Sequence, residues 1–202
     1  ASCATSRRQE RLDAIADEIE TGLELHGITG IEDRLQDGVA DSILKMSQAG
    51  IKVWMLTGDK TETAINIGIA TGMLEPEVKG ERPQLTSSDF EESDVFQKQD
   101  LVRQLQKIAD RAREANAGGR MFEGLVIDGK CLESALEPEN EKAFVEICRV
   151  CKTVICCRVT PKQKGAVVRL IKREERSITL AIGDGANDCN MIQSADVGVG
   201  IR

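Results

Sequence analysis

Aromatic residues make up 2% of the 202-residue chain, and there is no tyrosine and a single tryptophan. Bases of single-stranded nucleic acid would find almost nothing to stack on. Basic residues are also in deficit, with Lys+Arg 27 against Asp+Glu 34 and a net charge of −7, so the charge footprint of a nucleic-acid or anionic-lipid binder is missing. The one histidine, His26, reads as a packing residue within a strand, which leaves no credible Ser/His/Asp or Cys/His catalytic set. No run approaches the roughly 18–20 apolar residues of a membrane span, and no basic-then-apolar leader opens the chain. These absences predict a soluble, untargeted polypeptide. Seven cysteines, an odd number without the spacing of a secreted scaffold, predict a reducing compartment.

What is present is an ordinary globular composition, 41% hydrophobic and 30% charged, enough for one sizeable core. Between Arg7 and Gly22, Leu12, Ile15 and Ile19 share one helical face. Leu23 to Ile28 reads as a strand, Asp37 as the cap of a helix through Val39, Ile43, Leu44 and Met46, and Gly50 as its stop. Ile51 to Leu56 is a strand followed by TGDK and a helix that finishes at Gly72. Glu75 to Asp100, with Pro76 and Pro83 and no period, predicts an inserted surface loop, followed by a helix over Leu101 to Ala115. Strands are expected at Phe122–Ile127, Thr153–Cys157, Ile178–Ile182 and Val197–Ile201. Helices are expected over Asn140–Arg149 and after the Thr160-Pro161 cap. Strands alternating with helices imply a parallel sheet covered on both faces, with ligands beyond the carboxyl ends of its strands.

Two such ends carry chemistry. In Asp184-Gly185-Ala186-Asn187-Asp188, two carboxylates and an amide enter a helix, where exposed N–H groups favour anions and hard oxygens suit Mg²⁺. Asp184 and Asp188 read equally as turn formers and caps. Thr57-Gly58-Asp59 offers a hydroxyl, a small residue that admits a ligand to the backbone, and an acid, although alone it reads as a cap and turn. Lys164, one turn into the helix begun by Pro161, and Arg158 just before it place cations near the same rim. Most helical lysines are simply solvated, so Lys162 and Lys164 by themselves carry little functional weight, and Lys164 gains it only through the constellation. Cys148, Cys151, Cys156 and Cys157 raise zinc, but Cys156 and Cys157 alternate across a strand and read better as buried thiols.

Taken in order, WMLTGDKTETAINIGIATGML, LVIDGKCLESAL, CCRVTPKQKGAVV and TLAIGDGANDCNMIQSADVGVGI resemble the phosphorylation domain of P-type ATPases, within the haloacid-dehalogenase-like superfamily. GITGIEDRLQDGV and the form of the four blocks are similar to the type IV branch, the phospholipid flippases. The resemblance implies a Rossmann-like three-layer α/β fold, with residues 1–22 a linker from a nucleotide-binding domain and 23–202 a phosphorylation domain bearing an insertion at about 75–120. It implies that Thr57 and Gly58 hold a phosphoryl group, with Asp59 and Arg158 at the nucleotide and Lys164 neutralising charge. Asp184 would be a Mg²⁺ ligand, Asn187 and Asp188 would complete the phosphate and metal site, and Asp33 would match an acid near a hinge. ATP and Mg²⁺ are the implied cofactors. The implied partners are phospholipid, the remaining domains and an accessory subunit, at the cytoplasmic face of a membrane. The family nucleophile, the Asp of D-K-T-G-T, is not among these residues: in Asp59-Lys60-Thr61-Glu62-Thr63, Glu62 replaces the glycine. The chain alone is therefore expected to be catalytically silent. Alternatives are a stand-alone Mg²⁺/phosphate-binding module and a compact phosphatase using Asp59. A dinucleotide-binding dehydrogenase is disfavoured because no G-x-G-x-x-G follows the first strand.

Overall fold

The computed structural model describes residues 11–12, 14–24, 26–30, 35–76, 82–86 and 94–201. Residues 1–34 and 35–202 form separate compact units. In the first, residues 11–19 are helical where described, but Leu12, Ile15 and Ile19 are exposed. The strand expected at 23–28 is not formed by its described residues, and Ile28 and His26 lie exposed. A strand needs a partner to take up its backbone N–H and C=O groups, and none pairs here. His26 is thus not the packed strand residue expected. Asp33 falls outside the described residues, as do parts of the segment 75–100.

The second unit runs α1 (Val39–Gln48), β1 (Trp54–Leu56), α2 (Thr61–Ala70), β2 (Gln84–Leu85), α3 (Asp94–Ala117), β3 (Phe122–Asp128), α4 (Gly129–Ala135), α5 (Glu141–Val150), β4 (Cys151–Cys157), α6 (Pro161–Glu175), β5 (Leu180–Gly183), a 3-10 turn at Ala186–Asp188, α7 (Cys189–Ser194) and β6 (Val197–Gly200). The N-cap of α1 is Gly38, at φ 83, rather than Asp37, and no side chain caps the helix. All strand pairs are parallel, in a four-stranded sheet ordered β1-β4-β3-β2 and a second sheet of β5 and β6. This is the α/β, Rossmann-like layering expected, with one difference: β5 and β6 pair with each other and with no other described strand.

Period-two alternation splits the main sheet into two faces. Leu125, Ile127, Val154 and Cys156 join the larger core with α3, α4, α5 and α6. Val126, Ile155 and Cys157 face the other way and pack with Ala64 of α2 and Leu74. Cys156 and Cys157 therefore lie on opposite faces of β4, and no group of three or more His, Cys, Asp or Glu suited to a metal occurs among the described residues. Burial pushes the Cys151 thiol up to about 12 and raises Cys148 and Cys156 as well, which makes them poor thiolates. Cys189 is exposed.

The expected surface loop is not all loop. Gln84 and Leu85 add an edge strand to β3, and the Val126 amide donates to the Pro83 carbonyl at 3.0 Å. A two-residue strand behind a proline has no alternation to read. It is held by Glu123, buried on β3, which accepts from the Glu75 amide at 2.7 Å and pairs with the buried Arg82 guanidinium. One carboxylate thus ties the first part of the insertion to the sheet at two points, Glu75 and Arg82. Among the described residues, no helix is long and apolar enough to cross a membrane.

Asp196 joins three elements near the start of β6. It accepts from the Thr179 amide and hydroxyl, both at 2.9 Å, and pairs with Lys172 of α6 at 2.5 Å. Lys172 foremost, then Thr179, holds its carboxyl down at about 2. A carboxyl held below its unfolded value contributes stability above that value and loses it as pH falls through the folded one. Asp196→Asn should therefore flatten the acid limb of the stability profile between about pH 4 and 2. Denaturant midpoints measured across that range check this, and an unchanged limb would contradict it.

Candidate functional site

Because every strand pair is parallel, the carboxyl ends of β1, β3 and β4 fall on one edge of the main sheet. Thr57, Gly58 and Asp59 leave β1 there. The Thr57 amide donates to the Cys156 carbonyl at 2.8 Å, which extends the β1–β4 pairing by one step before the chain turns. The turn is then held from β4: the Arg158 amide donates to the Asp59 carbonyl at 2.9 Å, and the Val159 amide to the Thr57 carbonyl at 3.1 Å. Within the loop the Thr57 hydroxyl donates to the Asp59 carboxylate, and the Asp59 amide donates back to the hydroxyl oxygen at 3.1 Å. Gly58 and Asp59 are exposed, and α2 begins two residues after Asp59. The loop therefore presents a hydroxyl and backbone amides ahead of a helix N-terminus, an arrangement that favours anions.

The second group forms around α6. Thr160 caps that helix with a reciprocal box: its side chain accepts from the Gln163 amide at 3.3 Å, and the Gln163 side chain accepts from the Thr160 amide at 2.9 Å. The cap sets the phase of the helix and directs Lys164 inward. Lys164 and Asp188 are both buried, and Nζ donates to Oδ1 at 2.7 Å. The other carboxylate oxygen of Asp188 accepts from the Gly185 amide at 3.1 Å. Burial pushes the Asp188 carboxyl up, but the Lys164 bond and the Gly185 amide outweigh it and the net shift is downward. The loop closes this tightly only because of its glycines: a Cβ on Gly183 would stand 2.4 Å from the Asp188 Cβ, and one on Gly185 2.0 Å from the Asn187 Oδ1.

The structure thus brings the expected site residues into two bonded groups, Thr57–Gly58–Asp59 with Arg158, and Lys164 with Asp188. Asp184, Asn187 and the Arg158 side chain are exposed. Lys162 is exposed as well, so burial singles out Lys164. Sequence reading assigned no role to Gly129 or Gln163, although Asp128-Gly129 closes a third apolar strand in the manner of Gly58-Asp59 and Asp184-Gly185. Asp128 itself caps α4, accepting from the Cys131 amide at 2.9 Å.

No family model matches the chain. It is 46% identical over 96% of its length to phospholipid-transporting ATPase 10 of Arabidopsis thaliana. It is 45% identical over its whole length to phospholipid-transporting ATPase DNF2 of Saccharomyces cerevisiae, and 42% to phospholipid-transporting ATPase VD of Mus musculus. The chain belongs to the phospholipid-transporting ATPases, the type IV P-type ATPases. It spans 17%, 13% and 15% of the lengths of these three relatives.

A buried ion pair is costly to break from one side, because the remaining charge stays out of water. Lys164→Met should cost about 3 kcal/mol or more for that reason, read as a lower denaturant midpoint at unchanged slope. A wild-type midpoint would show that Asp188 does not depend on Lys164.

Proposed function

We propose that this chain is the phosphoryl-handling part of an ATP-driven phospholipid transporter. The observation that carries the reading is the buried Lys164–Asp188 pair beside Asp184. It lies on a chain 42–46% identical to phospholipid-transporting ATPases. Thr57, Gly58 and Lys164 would hold the transferring phosphoryl group, Asp59 and Arg158 the nucleotide, and Asn187 and Asp188 would complete the phosphate site. The donor set at 184 and 188 fits Mg²⁺ in its chemistry: both are hard carboxylate oxygens, with Asp184 exposed and Asp188 held by Lys164 and the Gly185 amide. Asp184 and Asp188 would hold the ion, which when bound supplies positive charge to phosphoryl oxygens.

In the transfer, the bond from the terminal phosphorus to the ADP oxygen breaks as one to an aspartate carboxylate forms. Water later releases phosphate and restores the carboxylate. The fixed Lys164 ammonium offsets charge on the group in flight. The nucleophile belongs to a D-K-T-G-T segment outside these 202 residues. Two features support a place for its strand. Among the described residues, β1 and β5 each have one pairing neighbour, leaving an open hydrogen-bonding edge apiece, and Leu180, Ile182, Val197 and Val199 are exposed on the small sheet. A further strand between β1 and β5 would join the two sheets and put its carboxyl end beside Thr57 and Asp184. Phospholipid would be moved by membrane helices outside this chain, with this part on the cytoplasmic side alongside the remaining domains and an accessory subunit.

In the full-length protein, Thr57→Ala should slow phosphoenzyme formation from labelled ATP by roughly a hundredfold or more, the scale of one lost oxyanion donor, and Asp184→Asn should abolish it. The 202-residue chain alone should take no acid-stable label. Label on an aspartate of this chain, or wild-type labelling in Thr57→Ala, would overturn the reading.

A further inference from the structure

The Thr57–Asp59 loop is not held by its own element. Two of its three carbonyls, those of Asp59 and Thr57, are satisfied by the amides of Arg158 and Val159, so its position depends on the path of the backbone just after β4. That path is unusual: Arg158 sits at φ 51, in the left-handed region that non-glycine residues seldom enter. A conformation of this kind persists only where neighbours dictate it. The neighbour here is Gly129. A Cβ built on Gly129 would stand 2.3 Å from the Arg158 carbonyl oxygen, 3.1 Å from its carbonyl carbon and 3.3 Å from Gln163 Oε1. The first two are backbone atoms, so they cannot swing aside as a side chain does. From the other side, Gln163 Nε2 donates to the Gly129 carbonyl at 2.6 Å, and the same side chain completes the α6 cap. Three segments, the β3 exit, the β4 exit and the first turn of α6, are thereby locked together beneath the loop.

We infer that Gly129 is a positioning residue for the Thr57–Asp59 loop, acting through the backbone of Arg158. Any side chain at 129 drives the Arg158 carbonyl away, turns the 158–159 peptide and draws the Val159 amide off the Thr57 carbonyl, with the Arg158 amide displaced next to it. The inference rests on the reading of that loop as a phosphoryl cradle. It adds a residue that touches neither phosphate nor nucleotide, and it explains why a glycine stands where no positive φ calls for one.

The test is a double-mutant cycle on ATPase kcat/KM in the full-length protein. Gly129→Ala should lower kcat/KM roughly tenfold, the scale of one or two displaced hydrogen bonds. In a Thr57→Ala background the same change should cost less than about twofold, because residues acting through one contact are not additive. A loss that arises only from less folded enzyme multiplies through both backgrounds, and that result would overturn the inference. Gln163→Glu provides a second, milder probe: it keeps an acceptor for the Thr160 cap and removes the donor to Gly129. If Gly129→Ala does not fold, a Gln163→Glu loss that disappears in Thr57→Ala supports the inference, and one that persists overturns it. Reduced activity in Thr57→Ala with wild-type activity in Gly129→Ala would sink this inference alone. Wild-type activity in Thr57→Ala would sink the cradle reading and the inference with it.

Discussion

The Lys164–Asp188 ion pair is the constraint around which this part of the molecule is arranged. Both side chains are buried, so each charge is tolerated because the other is 2.7 Å away and the Gly185 amide takes the remaining oxygen. That requirement fixes the phase of α6, which the Thr160–Gln163 cap supplies, and the tightness of the Gly183–Asp188 loop, which two glycines permit. A pair of this kind adds little stability over apolar packing. What it does provide is an ammonium held in place before any ligand arrives, and a preorganised charge needs no rearrangement when negative charge develops near it.

The sheet supplies the second half of the arrangement. Parallel pairing delivers the exits of β1, β3 and β4 to one edge, and backbone amides from β4 hold the loop that leaves β1. The core beneath is divided cleanly by alternation on β3 and β4, so the edge rests on a rigid base. The insertion is pinned to the sheet by Glu123. The small β5–β6 sheet stands apart with apolar residues exposed, and it is tied to α6 through Asp196 and Lys172.

Much of this was legible in the sequence, for identifiable reasons. β3 and β4 are long apolar runs, α6 opens on a Thr-Pro pair with a glutamine at the third helical position, and the loops at 57–59 and 184–188 follow apolar strands directly. The misses share a cause. β2 exists because Glu123 and Arg82 hold it against β3, α4 because Asp128 caps seven residues for which no element was expected, and neither signal is periodic. The 23–28 run has strand composition but no partner. The contact between Gly129 and Arg158 joins residues far apart in sequence, so only the folded chain reveals it. As residue types Lys162 and Lys164 look alike; the resemblance points to Lys164, and its burial sets it apart from the exposed Lys162.

The central claim is that the Lys164–Asp188 pair is kept for phosphoryl chemistry rather than for stability, and the Lys164→Met, Asp188→Leu double variant of the full-length protein tests it most directly. Replacing a buried pair by apolar groups of similar size is often neutral or stabilising. The account predicts that melting temperature returns to about the wild-type value while phosphoenzyme formation from ATP falls roughly a hundredfold or more. A stable double variant that still forms and turns over phosphoenzyme at the wild-type rate would contradict it.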